Sequence, residues 1–63
     1  MTDHSYYSIR VLNLNKGRTI RKHMEVEDLD DAISQFDQLA ETETDCIIEL
    51  RAMDLRLLRF KII

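Results

Sequence analysis

His4, His23 and Cys46 are the side chains of this sequence best suited to ligating a metal or attacking a substrate. Zinc sites draw on Cys and His at short, characteristic spacings, and neither histidine has a Cys or carboxylate at such a spacing. Cys46 falls on the apolar side of an alternating segment, so a buried, protonated and inert thiol is expected there. Glu25, Glu27, Asp28, Asp30 and Asp31 invite a calcium reading. An EF-hand loop, however, needs a central Gly and a terminal bidentate Glu, whereas this run leads straight into a helical pattern. Asp30 and Asp31 are expected to face solvent, without the burial that tunes a catalytic carboxylate pair. There is no Gly-rich phosphate loop, and so short a chain should have no room for a substrate pocket of about 300 Å³ or more. The expectation is a protein with no catalytic residue, no metal and no cofactor, and not an enzyme.

The elements that would have to position any site are legible from composition and periodicity. At 63 residues, 44% hydrophobic and 33% charged, the chain should form a single domain spanning 1–63, globular and not disordered. A single cysteine forms no internal disulfide, and the start of the chain has no basic–apolar signal pattern, so a cytoplasmic location is expected. No apolar run approaches the roughly 18 residues of a membrane span.

Residues 5–14 alternate, with Tyr7, Ile9 and Val11 on one side, and Asn15-Lys16-Gly17 then supplies the only glycine. A three-residue hairpin loop with Gly17 at positive φ is expected there. Arg18 to Val26 alternates again: Ile20, Met24 and Val26 share a face with Lys22 as the exception, opposite Thr19, Arg21, His23 and Glu25. Leu29, Ala32, Ile33, Phe36, Leu39 and Ala40 then recur at helical spacing, which predicts a helix over 28–42 with Asp28 as its N-cap. A third strand alternates from Cys46 to Met53. The tail places Leu58, Phe60 and Ile62 on one side and Leu55, Leu57, Arg59, Lys61 and Ile63 on the other. A turn at Met53-Asp54 would make a second hairpin, although it lacks the Gly or Asn such turns favour; a bulged continuous strand or an exchanged terminal strand are the alternatives. The fold class is α+β, a two-layer ββαββ arrangement with one helix packed on a small antiparallel sheet.

Charge is segregated along this chain. Ten of the twelve acids, Glu25, Glu27, Asp28, Asp30, Asp31, Asp37, Glu41, Glu43, Asp45 and Glu49, form a block that no Lys or Arg interrupts. The helix dipole accounts for the acids of the first turn. It does not account for Glu41 and Glu43, which lie where the dipole favours cations, nor for the missing i,i+4 lysines. A basic partner would relieve such a face.

A single helix covers only one side of a sheet. The other side is expected to carry Tyr6, Leu12, Leu14, Ile47, Met53, Leu57 and Ile63, interleaved with Arg10, Arg21, Arg51, Arg59 and Lys61. That much apolar surface suits a homodimer seam, for which Tyr6, Leu12, Leu14, Ile47, Leu57 and Ile63 are the candidates. An RNA-reading sheet would need stacking aromatics where only Tyr6 and Tyr7 are available. With a net charge of -3, direct nucleic-acid binding is not expected.

The segment Ser34-Gln-Phe-Asp-Gln-Leu-Ala-Glu-Thr-Glu-Thr-Asp45-Cys-Ile-Ile-Glu-Leu-Arg51 resembles, without a gap, the helix-to-strand segment of the small uracil-DNA glycosylase inhibitors of Bacillus podophages. Ser34, Phe36, Leu39, Asp45, Ile47, Ile48, Leu50 and Arg51 match, and Asp37 stands where that family has a Glu. Ser5-Tyr6 and a Gly-containing hairpin occupy similar places upstream. The resemblance implies an acidic homodimer that mimics DNA, occupies the DNA-binding groove of a host glycosylase and holds the enzyme's intercalating leucine in an apolar pocket at the dimer interface. It carries Phe36 and Asp37 over as contacts. The chain departs from the family at Ala40, where a functional Tyr is expected, and in its final strand, which the family lacks.

Three readings follow. In the first, a phage-encoded inhibitor in the host cytoplasm uses Asp30, Asp31, Phe36, Asp37, Ala40, Glu41 and Glu43 against a nucleic-acid-processing enzyme, most sharply uracil-DNA glycosylase or otherwise a restriction or defence system. In the second, the chain is an assembly or dimerisation module. The third is a nucleic-acid-binding sheet platform built on Arg10, Arg21, Arg51 and Arg59.

Overall fold

A computed structural model describes residues 6–15 and 17–63 and shows the expected α+β architecture. Strands β1 (Tyr7–Asn13) and β2 (Ile20–Val26) precede helix α1 (Leu29–Thr42), followed by β3 (Cys46–Arg51) and β4 (Leu57–Ile62). The four strands form one antiparallel sheet in the order β2-β1-β3-β4, so β1 and β3 are central while β2 and β4 are edges. His4 and Lys16 lie outside the described residues.

The helix begins where its cap says it should. Asp28 is extended, and its carboxylate accepts from the Asp31 amide at 3.1 Å, satisfying one of the free donors of the first turn. The apolar stripe of α1 buries Ala32, Phe36 and Leu39 against Ile9, Val11, Val26, Cys46, Ile48 and Leu50, with Ile33, Ala40, Met24, Leu58 and Ile63 packed around this core. Five sheet side chains of that core, Ile9, Val11, Cys46, Ile48 and Leu50, are wholly enclosed.

Of the two hairpin connections, the first differs from the expectation and the second is the turn at Met53-Asp54. The β1–β2 loop spans the residues between Asn13 and Thr19, closed by the Asn13 amide donating to the Thr19 carbonyl at 2.9 Å, so it is longer than three residues. Gly17 has positive φ as expected, and Arg18 follows it into the same region. At the other end β3 and β4 do form a hairpin. The Leu55 amide donates to the Ala52 carbonyl at 2.9 Å, the Ala52 amide donates to the Arg56 carbonyl at 2.9 Å, and Leu55 adopts φ 69°. Glycine is the usual occupant of that position. A leucine there carries steric strain between its Cβ and the backbone, partly offset because the Arg51 guanidinium donates to the Leu55 carbonyl at 2.8 Å.

Two register shifts redistribute the side chains between the faces. One lies between Val11 and Leu12, where Val11 pairs with Lys22 but Leu12 pairs with Ile20. The other lies between Leu50 and Arg51, where Leu50 pairs with Arg59 but Arg51 pairs with Leu57. An inserted residue makes the strand change phase, so the side chains beyond it swap sides.

Candidate functional site

The outer side of α1 and the uncovered side of the sheet are the two surfaces with functional potential. On the helix, Asp30, Asp31, Asp37 and Glu41 are all exposed, and among the described residues none forms a salt bridge. Asp30, Asp37 and Glu41 recur at helical spacing, about 10 Å and 6 Å apart along the axis at 1.5 Å per residue. Asp37 and Glu41, at i,i+4, repel each other by about 0.2–0.5 kcal/mol, a cost that no cation on the helix offsets.

Glu43 behaves differently. Its Oε1 accepts from Arg21 Nη1 and its Oε2 from Lys22 Nζ, each at 2.9 Å, and its side chain is only 13% exposed. These hydrogen bonds, first from Lys22 and then from Arg21, hold its carboxyl below the ordinary value. The last turn of α1 has no basic residue of its own, so the cations that the dipole favours are supplied from β2. Arg21 is free to do this because it occupies the bulge, where it also donates through Nε to Asn13 Oδ1 at 2.8 Å. Arg21 therefore works on the helix side of the sheet, and not on the open face expected for it.

The remaining candidates on the helix are internal. Phe36 is 5% exposed in the centre of the core, and Ala40 is half-buried against it. Neither is exposed as Asp30, Asp31, Asp37 and Glu41 are.

On the open side of the sheet the registers assemble three rows. Glu25, Ser8, Arg51 and Leu57 make one; His23, Arg10, Glu49 and Phe60 make the next; Ile20, Leu12, Ile47 and Ile62 make the third. The third is apolar across all four strands. Ile47 is buried in its middle without belonging to the core, while Ile20, Phe60 and Ile62 are 57%, 59% and 58% exposed. Of the expected seam residues, the sheet places Leu12, Ile47 and Leu57 on this face. Ile63 instead packs against the core, Leu14 lies in a turn, and Tyr6 is half-buried just ahead of β1; Met53, expected on the open face, lies in the β3–β4 turn. Arg59 and Lys61 pair with Leu50 and Ile48 and so belong to the helix side. Ile20, Phe60 and Ile62 were the residues missed. Their alternation was visible, but the bulges set its phase.

The polar part of this face is nearly balanced. Arg51 pairs with Glu49 at 3.3 Å, and Arg10 lies between His23 and Glu49 with its Nε enclosed and without an acceptor among the described residues.

A cleft of about 460 Å³ opens between the N-terminal end of α1 and the β3–β4 turn, lined by Tyr7, Leu29, Met53, Asp54, Arg56 and Leu58 among others. A cleft of this size was not expected from the length of the chain. Its one carboxylate, Asp54, is occupied in accepting from the Arg56 amide at 3.1 Å. Cys46 is enclosed under the helix, where burial pushes its thiol pKa up and keeps it protonated. No cluster of three or more His, Cys, Asp or Glu suited to a metal occurs among the described residues, and none of their helices is long and apolar enough to cross a membrane.

Searches against protein-family models, curated proteins and solved structures find no match for this chain.

Proposed function

We propose that this protein acts by binding and not by catalysis, presenting the outer face of α1 to the basic, nucleic-acid-binding surface of another protein. One observation carries the reading: Asp30, Asp31, Asp37 and Glu41 stay exposed and form no salt bridge among the described residues, whereas Arg21 and Lys22 both bridge to Glu43. A fixed row of carboxylates resembles a row of phosphates in charge, and a basic cleft built to hold phosphates would attract it over long range. Together with the resemblance over Ser34 to Arg51, the sharpest form of the proposal is an inhibitor of uracil-DNA glycosylase that mimics DNA. Inhibition of a restriction or defence enzyme would use the same surface.

The test is glycosylase inhibition by the wild-type protein and by Asp37→Lys/Glu41→Lys. Inhibition by the wild type that weakens as salt rises and falls at least tenfold in the double variant is expected, a loss of about 1.4 kcal/mol or more. A double variant that inhibits equally well would remove the helix from the interface. Absence of inhibition by the wild type would rule out the glycosylase.

A second reading, association with another copy of the chain, is favoured by the apolar row Ile20–Leu12–Ile47–Ile62 on the open face. The balanced charges beside that row allow two such faces to meet without net repulsion, whereas two acidic helices would repel. Arg10 Nε is a donor that a covering surface could satisfy.

A further inference from the structure

The outer edge of β4 combines free backbone groups with a charge pattern of its own. The Cys46 and Ile63 backbones exchange hydrogen bonds, each amide donating to the other's carbonyl at 3.3 and 2.9 Å. Hydrogen-bonded pairs alternate along an antiparallel ladder, so Lys61 and Arg59 also direct their N–H and C=O towards β3. Phe60 and Ile62 must then direct theirs outwards, where the sheet has no further strand among the described residues. Their side chains lie on the open face, while Arg59 and Lys61 lie on the helix side, exposed and without a salt bridge among the described residues. Helix α1 packs chiefly on β3, β1 and β2, leaving these two cations uncovered.

An antiparallel strand added here would exchange hydrogen bonds with Phe60 and Ile62. It would therefore meet Arg59 and Lys61 in the closer, non-hydrogen-bonded pairs, with Cα atoms about 4.5 Å apart. Cross-strand charge matters most at that separation. It argues against a second copy of β4 as the added strand. Two-fold antiparallel pairing centred on Phe60 sets Arg59 against Lys61 of the other copy twice, and centring on Arg59 or Lys61 sets each against itself; centring on Ile62 avoids the clash but leaves only Lys61 to Ile63 in the ladder, with a single outward hydrogen-bonded pair. The strand that fits carries carboxylates at alternate positions facing Arg59 and Lys61, and apolar side chains between them that extend the surface of Leu57, Phe60 and Ile62.

We propose that the β4 edge is a docking site for an extended segment of a partner protein in which acidic and apolar residues alternate, bound by strand addition. This site is separate from the acidic face of α1 and stands whether or not that face binds an enzyme.

The test uses the full-length protein and two blocked synthetic peptides, one alternating glutamate and valine, the other lysine and valine. Amide hydrogen exchange is read at Phe60 and Ile62, with His23 and Glu25 on the opposite edge strand as controls. At a peptide concentration ten times Kd, the glutamate peptide should slow exchange at Phe60 and Ile62 by about tenfold and leave β2 unchanged. Arg59→Glu/Lys61→Glu, both exposed positions, should reverse the preference towards the lysine peptide. The proposal is overturned if neither peptide protects these amides, in which case Arg59 and Lys61 serve only to guard the edge against aggregation. Equal protection by both peptides would overturn it too. So would protection of Phe60 and Ile62 that grows with protein concentration alone, which would make a second copy the occupant, or binding to anionic lipid vesicles at this edge in place of the peptide.

Discussion

Both faces of the sheet carry apolar side chains, yet they do opposite things. On the covered face Ile9, Val11, Cys46, Ile48 and Leu50 vanish beneath α1. On the open face Leu12, Ile20, Ile47, Leu57, Phe60 and Ile62 form a continuous surface, much of it in water. The first set stabilises the fold by leaving solvent, at about 25 cal/mol for each Å² of apolar surface removed. The second gains most of that only when something else arrives. Apolar content alone therefore does not separate core from interface; what separates them is whether the same chain has a layer left to lay over them.

That contrast can be broken most forcefully from the covered side. Phe36→Ala should destabilise the protein by about 3–5 kcal/mol, a large part of what a domain this small possesses. Urea unfolding followed by circular dichroism would show it as a lowered midpoint. A loss below about 1 kcal/mol would mean that Phe36 is not the centre of the core.

From the open side, Phe60→Lys/Ile62→Lys should leave the urea midpoint of the monomer nearly unchanged, because both side chains are already more than half exposed. Self-association measured by sedimentation should instead weaken by about thirtyfold or more, as expected for charge placed in an interface core. A wild-type chain that stays monomeric at millimolar concentration would count against the self-association reading, and a fall in stability with unchanged association would contradict the contrast itself.

Two smaller effects concern how the faces are joined. Leu55→Gly relieves the positive φ at the β3–β4 turn and should stabilise by about 0.5–1 kcal/mol, after allowing for the greater freedom of glycine in the unfolded chain. Thermal melting would detect it, and a lower Tm would show that the leucine side chain contributes more than its strain costs. The smallest effect belongs to Glu43. Its bonds to Lys22 and Arg21 hold its carboxyl below the ordinary 4.5, so their stabilisation is complete above about that pH and fades as pH falls through the lowered native value. Glu43→Gln should flatten the pH dependence of Tm below pH 4.5 and leave it unaltered at neutral pH apart from a uniform offset. An identical acid profile in the variant would assign the acid sensitivity to other carboxylates.

The order ββαββ, the helix bounds near Asp28 and Thr42, the glycine at positive φ and the buried thiol of Cys46 could all be read from the linear chain. So could the acidic block, because helical spacing alone places Asp30, Asp37 and Glu41 on one outer stripe. These features depend on interactions within a few residues, where side-chain type and period are sufficient. The membership of the open face was not legible in the same way. One extra residue at Arg21 and one at Leu58 reverse the phase of β2 and β4, bringing Ile20, Phe60 and Ile62 into the apolar surface while taking Arg21, Arg59, Lys61 and Ile63 out of it. The pairing of Glu43 with Arg21 and Lys22, more than twenty residues away, was hidden for the same reason. Alternation within a strand says which residues share a side. Which side that is depends on the ladder to its neighbour, and only the folded sheet sets that register.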